Sequence, residues 1–348
     1  MSKVSVFNEW DSLEEIIVGR ATNARIACPD PGLFAVEYLE EYGSMQDIPS
    51  GPYDNQVIEE TEEDLEELVQ TLQNLGVTVR RPDIADHSVK FATPDWQSDG
   101  QSNYCPRDLL VTVGTWIIEA PMALRCRFFE SRSYKTILID YLQSGAKWIS
   151  APKPRLSNEI YNVLDASALA IKDYEPIFDA ANILRLGRDI FYLISGTGNQ
   201  CGALWLQTVL GEDYRIHTCD NIYSGTHVDT TIVPIHPGLV VVNAERVSQH
   251  NLPELFTGWD VIYLDDIVDI GCYKSTCLAT KWIGMNLLMV NPNLAIVDKA
   301  QTPLIRELEK RGVDVIPLQL RHARTLGGGF HCVTLDVRRT GWLEDYYF

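Results

Sequence analysis

Basic residues are scarce in this chain: 29 Lys and Arg stand against 48 Asp and Glu, a formal charge of −19. A field of that sign repels nucleic acid and anionic membranes and draws in cations. Neither nucleic acid nor a membrane is therefore expected as a partner. No apolar run approaches the roughly 20 residues of a membrane span. The opening MSKVSVFNEWDSLEE has neither the apolar core of a signal peptide nor the Arg-rich, acid-poor character of a transit peptide, so a cytoplasmic location is expected. CxxC pairs are missing too. The eight cysteines, at 28, 105, 126, 201, 219, 272, 277 and 332, follow no regular spacing in a chain too long to need covalent staples, and they read as reduced thiols. With hydrophobic residues at 45%, the chain is long enough for one large domain or two smaller ones, and one domain over residues 1–348 is expected.

Much of the acidic charge lies in one run, EETEEDLEE, from Glu59 to Glu67. Ile58, Leu65, Leu68, Val69, Leu72 and Leu75 recur there at helical spacing. The run therefore reads as the solvated face of an amphipathic helix, with no catalytic role.

A weak internal repeat organises the rest. Four segments read as β-hairpins around Gly, Asn or Pro turns: LLVTVGTWIIEA from Leu109, ILRLGRDIFYLI from Ile183, TIVPIHPGLVVVN from Thr231 and LLMVNPNLAIVD from Leu287. A fifth run, VTLDVRRTG from Val333, has one clear strand, whose partner is expected in EEIIVGR, residues 14–20, at the other end of the chain. Helical patterns over 58–75, 122–143 and 301–311 lead into short strands at Val77, Lys147 and Val313, with Gly76 and Gly312 placed as helix-ending glycines. The helix after Cys201 and the strand at Arg215 fit less cleanly, and 252–264 is weakest. The unit is strand, strand, helix, strand, repeated about five times, an α/β pattern. Repeats stacked radially would form a ring around a central channel. An open doubly wound sheet would explain the helices but not the recurring hairpins, since parallel strands need crossovers.

Just upstream of each hairpin sits a polar residue: Asp108 in CPRD, Asp179 in FDAAN, His227 and Asp229 in THVD, Thr280 in ATKW and Cys332 in LGGGFHC. In a radial arrangement these converge on one pocket. Taken singly each has a plain structural explanation: Asp108 as a turn residue, Asp179 as a helix N-cap, His227 as a hydrogen-bonded structural imidazole. Taken together, a cysteine, a histidine and several carboxylates make a nucleophile, an acid/base and a cation clamp. The three glycines at 327 to 329 imply a close backbone approach beside the cysteine. They lack the GxGxxG spacing and the following helix of a phosphate loop. A metal site is disfavoured, because His331 and Cys332 are adjacent and no second ligand pair has zinc spacing.

The motifs FDAAN, GRDIFYL, THVD, ATKW, EAPMALRCRFFE and LGGGFHCVTLDVRRTG resemble the arginine:X amidinotransferases, the group of glycine amidinotransferase and the inosamine-phosphate enzymes. The resemblance runs from NEWDSLEEIIVG to LDVRRTG. IPSGPY, ATPDW, SAPKPRL and SGTHVD bring it closer to the inosamine-phosphate branch of streptomycin biosynthesis. It implies a five-bladed pseudo-symmetric α/β propeller of pentein type built from ββαβ modules. It further implies Cys332 as the nucleophile that becomes amidinated, His227 as general acid/base and Asp179 as the carboxylate that orients it. Asp108 and Asp229 match the acids that bind the donor guanidinium, and Arg246 an arginine contacting the substrate α-carboxylate. Ala279 and Thr280 stand where the glycine enzymes carry paired serines, so the side-chain contact at 279 is missing.

The implied reaction takes the amidino group of L-arginine, releases ornithine and passes the group to an amine acceptor, with no cofactor and no metal. A thiolate suits the attack once a neighbouring cation lowers its pKa from about 8.5. Alternatives are an arginine deiminase-like hydrolase, in which water resolves the adduct, and a propeller that binds guanidino compounds without turnover. The resemblance points to scyllo-inosamine 4-phosphate as acceptor, although no basic cluster for its phosphate is visible in sequence. Glycine, lysine or another amine stay open. A homodimer fits the family, and the C-terminal WLEDYYF packs either at an interface or over the core.

Overall fold

Alternating apolar runs broken by tight turns give this chain its strands, and five sets of them form five separate three-stranded sheets. The structure, a computed structural model, describes residues 2–274 and 277–346. Four sheets are built within consecutive stretches: Leu110–Val113, Trp116–Glu119 and Lys147–Ser150; Ile183–Leu186, Asp189–Leu193 and Arg215–Cys219; Ile232–His236, Leu239–Asn243 and Asp260–Leu264; Leu288–Asn291, Leu294–Asp298 and Asp314–Leu318. In each, the first two strands pair antiparallel and the second and third parallel. The fifth sheet joins the chain's ends, because Thr334–Arg339 pairs antiparallel with Leu13–Val18, which runs parallel to Thr78–Arg80. The four expected hairpins and the expected partnership of the two terminal segments all form. The expected ring does not take the form of one closed sheet. Bridges from Ser5 to Arg338, Val6 to Gly114 and Asn8 to Leu186 instead tie the N-terminal segment across three modules.

Helices Asn55–Asn74, Lys135–Gln143, Gln200–Leu210 and Thr302–Glu309 supply four of the parallel crossovers. Gly76 and Gly312 follow the first and last with φ of +85° and +78° and open space around them, so the backbone angle and not crowding selects glycine. Three details differ from expectation. The segment 122–143 is α-helical only from Lys135, since short turns at Arg125–Arg127 and Glu130–Tyr134 precede it and bury both arginines. Ahead of Asp260–Leu264 the crossover carries only the turn Glu254–Phe256. The acidic run lies on the helix Asn55–Asn74 as expected, but Leu75 is exposed and Asp64 is buried, where it accepts from Arg321 Nε at 2.8 Å.

Apolar side chains collect where modules meet. One cluster joins the modules around residues 190, 240 and 295, a second those around 115, 190 and 337, and a third those around 17 and 296. A buried ionic network lies between them. Asp336, fully buried, accepts from Arg107 Nη1 at 2.6 Å, Arg185 Nη2 at 2.8 Å and Arg339 Nε at 2.6 Å. Arg185 also meets Glu9 at 2.6 Å and Thr112 Oγ1 at 2.7 Å, and Arg339 donates to the Met289 carbonyl at 2.9 Å. These partners come from four of the five modules and the N-terminal segment. Tyr346 covers Trp10 with ring centroids 5.1 Å apart while Trp342 is exposed; Tyr347 and Phe348 of WLEDYYF lie outside the described residues. Contrary to the reading of all thiols as reduced, Cys272 and Cys277 are joined as a disulfide, their Cα atoms 5.6 Å apart. The loop between them is short enough to bring the sulfurs together without help from the core. Among the described residues no helix is long and apolar enough to cross a membrane.

Removing one partner from a buried ion network costs about 3–5 kcal/mol, so Asp336→Asn is expected to lower unfolding free energy by that order in urea titrations. Burial pushes the Asp336 carboxyl up, but Arg107, Arg185 and Arg339 outweigh it and hold it well below the usual range. Its contribution is therefore complete above the unfolded-state value of about 3.9 and lost as pH falls. The gap in stability between wild type and variant should narrow in acid.

Candidate active site

A helical turn stands ahead of the first strand of each hairpin, and these turns carry the polar side chains inward. Asp108 lies in Pro106–Leu109, Asp179 precedes Ala180–Asn182, His227 precedes Val228–Thr230 and Thr280 precedes Lys281–Met285. Cys332 sits in the turn that enters the strand Thr334–Arg339. Cys332, His227, Asp229, Arg246, Ala279 and Thr280 all line one cavity of about 720 Å³. Asp108 and Asp179 stand behind His227.

Asp179 holds the position of an N-cap but makes no capping bond. Its Oδ1 accepts from the Ala123 N–H at 3.0 Å and its Oδ2 meets His227 Nε2 at 3.1 Å. On the other side of the ring, His227 Nδ1 lies 3.6 Å from Asp108 Oδ1. Burial pulls the imidazole pKa down, but Asp108, Asp179 and Asp229 outweigh it and raise it to about 9. The ring is therefore a cation at neutral pH. Asp108 is fixed through its other oxygen, which takes Arg127 Nη1 at 2.7 Å, and Arg127 is shared with Glu130. That leaves Asp108 Oδ1 buried without a hydrogen bond, with the 3.6 Å contact to His227 in place of one.

Asp229 Oδ2 accepts from His331 Nδ1 at 2.8 Å and from the Cys332 thiol at 3.2 Å. Burial raises this carboxyl, yet its bond and attraction to His331 and the charge of His227 prevail and bring it to about 2. The expectation of a thiol acidified by a neighbouring cation is corrected here. A hydrogen bond with Cys105, burial and the negative charge of Asp229 push the Cys332 pKa well above its ordinary value. The sulfur is a neutral thiol in the free site.

The three glycines have three separate causes. Gly327 ends the turn Ala323–Leu326 at φ +77°. A Cβ on Gly328 would lie 2.5 Å from Cys105 Sγ and 3.3 Å from Cys332 Cβ, and one on Gly329 would lie 2.6 Å from Asn286 Cβ. Asn286 explains the last approach, since its Oδ1 accepts from the N–H groups of both His331 and Cys332, at 2.9 and 3.0 Å. Sequence reasoning passed over Asn286, Arg127 and the bridging role of His331.

Arg246 stacks on Tyr223 with its guanidinium carbon 3.6 Å from the ring centroid and donates to Thr231 Oγ1 at 2.8 Å, so it reaches the cavity on a fixed stem. Thr280 Oγ1 accepts from the Trp282 N–H at 3.3 Å as a cap, and the Ala279 carbonyl accepts from Arg324 Nε at 3.1 Å. Arg246, Lys281 and Arg324 all line the cavity, basic residues that no contiguous stretch of sequence groups, with Lys281 paired to Glu245 at 2.9 Å and Arg324 paired to Asp269. Glu37, Glu40 and Glu41 line the same cavity. Among the described residues no group of three or more His, Cys, Asp or Glu side chains is arranged to hold a metal ion.

No protein-family model matches the chain. It is 56% identical over 348 residues, all of both chains, to inosamine-phosphate amidinotransferase 1 of Streptomyces glaucescens. L-arginine:L-lysine amidinotransferase of Pseudomonas savastanoi is 38% identical over 99% of this chain and 97% of its own length. The solved structure of an inosamine-phosphate amidinotransferase from Streptomyces griseus superposes with a TM-score of 0.99 at 54% identity, covering both chains completely.

Two outcomes follow from this geometry. In Asp179→Asn the His227 titration should move from about 9 toward the ordinary value near 6.5, read by NMR of the imidazole protons. In Gly328→Ala the new methyl must displace Cys105 or Cys332, so alkylation of Cys332 and turnover should both change while Gly76→Ala, far from the site, alters stability alone.

Proposed function

The chain belongs to the amidinotransferase family and is an amidinotransferase, and from that premise we propose that it moves the amidino group of L-arginine to an amine through a covalent adduct on Cys332. The observation that carries this reading is that the Cys332 thiol, the His227 imidazole and the Asp229 carboxylate line one cavity, with Asp108 behind the imidazole and its Oδ1 buried without a hydrogen bond. A guanidinium is planar, cationic and rich in donors, and a carboxylate with a free acceptor in low dielectric is its natural complement. Asp108 and Asp229 hold the guanidinium, and Arg246 takes the α-carboxylate at the far end. Ala279 and Thr280 shape the wall between them.

In the first half-reaction Cys332 Sγ forms a bond to the guanidino carbon and the bond from that carbon to arginine Nε breaks. His227, already protonated, gives its proton to the departing nitrogen and is left neutral, and the proton shed by the thiol passes to solvent. Ornithine leaves as the amine and an amidino-cysteine cation stays behind. The acceptor then attacks the same carbon, His227 takes a proton from its nitrogen, and the sulfur departs. One imidazole serves both halves, as reversal of a ping-pong path requires. Asp179 keeps that imidazole in place and cationic. We read the five modules as blades of a five-bladed α/β propeller, which brings turns from all of them to one pocket.

For the acceptor, the name of the 56% relative and the presence of Lys281 and Arg324 among the cavity-lining residues favour an amino-cyclitol phosphate. Lysine, the acceptor in the name of the 38% relative, is the second reading.

Incubation with arginine should release ornithine and add one amidino group to Cys332, seen by mass spectrometry of the intact chain. Cys332→Ala should lose transfer by about 10,000-fold or more while still binding arginine. Citrulline as the sole product would overturn the transferase chemistry, and a panel of amines scored by ornithine release identifies the acceptor.

A further inference from the structure

One carboxylate in the cavity has no part in the scheme above. Glu37 lies on the π-helical turn Phe34–Tyr38, in an insertion between the first strand and the helix Asn55–Asn74 that has no counterpart in the other modules. It is partly buried, lines the same cavity as Cys332 and His227, and makes no hydrogen bond or ion pair among the described residues. π-turns of this kind recur at functional sites. The charged groups that act on Glu37 are His227, Asp179, Arg127 and Asp108 from the facing modules. Tyr38 and Cys126, and Tyr53 across the turn, also sense its charge.

The chemistry of the second half-reaction supplies the need for it. An aliphatic amine reaches the site as an ammonium, and the amidino-cysteine it must attack is itself a cation. Conversion of R–NH3+ and S–C(NH2)2+ to R–NH–C(NH2)2+ and a neutral thiol breaks the C–S bond, forms a C–N bond and takes two protons from the amine nitrogen. One of the two ends on the departing sulfur and the other leaves the site. His227 can accept only one proton at a time, and only when it is neutral.

We propose that Glu37 is the acceptor-ammonium residue of this enzyme: its carboxylate holds the incoming amine beside His227, offsets the second positive charge and takes the first proton. This assignment rests on the adduct chemistry of the preceding subsection. Burial raises the Glu37 carboxyl, the cations His227 and Arg127 oppose this, and Asp179 and Asp108 add to it, leaving it at about 7. A base of that strength is matched to proton removal near neutral pH. Glu40 and Glu41, farther along the same segment, are exposed and lack these partners.

The test follows the adduct directly. Wild type and Glu37→Gln are loaded with excess arginine, freed of ornithine, and mixed with an amine acceptor identified by the panel; loss of the adduct is timed by mass spectrometry from pH 6 to 10. Since ornithine leaves through the same corner, adduct formation in the variant should be slower but should reach completion on long incubation, which also shows that the variant is folded. The expected result is decay slowed by roughly 100-fold near neutral pH. Relative to wild type, the variant rate should then climb by a further tenfold per pH unit between neutrality and the acceptor's own amine pKa, so that the two rates converge in base. Glu37→Asp should restore part of the neutral-pH rate. Decay in the variant with the wild-type pH profile, whether equally fast or slowed by one factor at every pH, overturns the assignment. Absence of any arginine-derived adduct in the wild type strikes the preceding reading instead and removes this one with it.

Discussion

Two carboxylates hold one imidazole between the buried ionic network and the reactive sulfur. His331 meets Asp229 through Nδ1 at 2.8 Å and Glu9 through Nε2 at 3.4 Å. On the Glu9 side the contacts continue to Arg185, Asp336, Arg107 and Arg339, and so to four modules; on the Asp229 side they end at the Cys332 thiol. Burying so many charges is costly unless each is paired. Here the pairing is close to complete, so the network specifies one arrangement of the modules where apolar packing alone would tolerate several. Asn286 adds a second constraint by gripping two successive N–H groups of the turn that bears the cysteine. The sulfur is thus located by the same bonds that align the modules, and the site cannot loosen without the fold loosening too.

The hairpins were legible in the sequence because period-two alternation and a turn residue are local signals, and so was the meeting of the two ends, since a lone strand needs a partner. The convergence of Asp108, His227, Asp229 and Cys332 was legible from position in the repeat. Asp108, Asn286 and Cys332 each stand two residues before the strand they introduce. Asn286, at the far end of the turn that Thr280 caps, has no local signal that separates it from an ordinary turn residue. The helix expected over 122–143 failed at its first half for a reason that pattern cannot show. Arg125 and Arg127 look like a solvated face, but one lies over Tyr161, its guanidinium carbon 5.3 Å from the ring centroid, and the other is bound by Asp108 and Glu130. Glu37 had no signal at all, since it belongs to an insertion outside the repeat and gains its meaning only from what it faces across the cavity.

The ionisation of Cys332 marks the sharpest difference between residue type and residue behaviour. A cysteine near a histidine suggests a thiolate and imidazolium pair. In this site two aspartates and a second thiol lie nearer to the sulfur in effect than the imidazole does, and the balance of charge keeps it protonated. The proposed mechanism then has to find its activating cation elsewhere, and the substrate is one. A unit positive charge about 4 Å away is worth about 4 kcal/mol at an effective dielectric of about 20, or about three pK units. It acts in the direction opposite to the Asp229 and Asp108 charges that raise the thiol. In the proposed mechanism the aspartates that suppress the thiolate in the empty site also hold the guanidinium against it, so that one set of charges would both guard the nucleophile and admit the ligand that releases it. A neutral urea of the same shape would find the same hydrogen-bond acceptors but would leave the field at the sulfur unchanged. Recognition and activation are in this sense a single electrostatic event, and the excess of carboxylate over cation at the cavity is what makes them one.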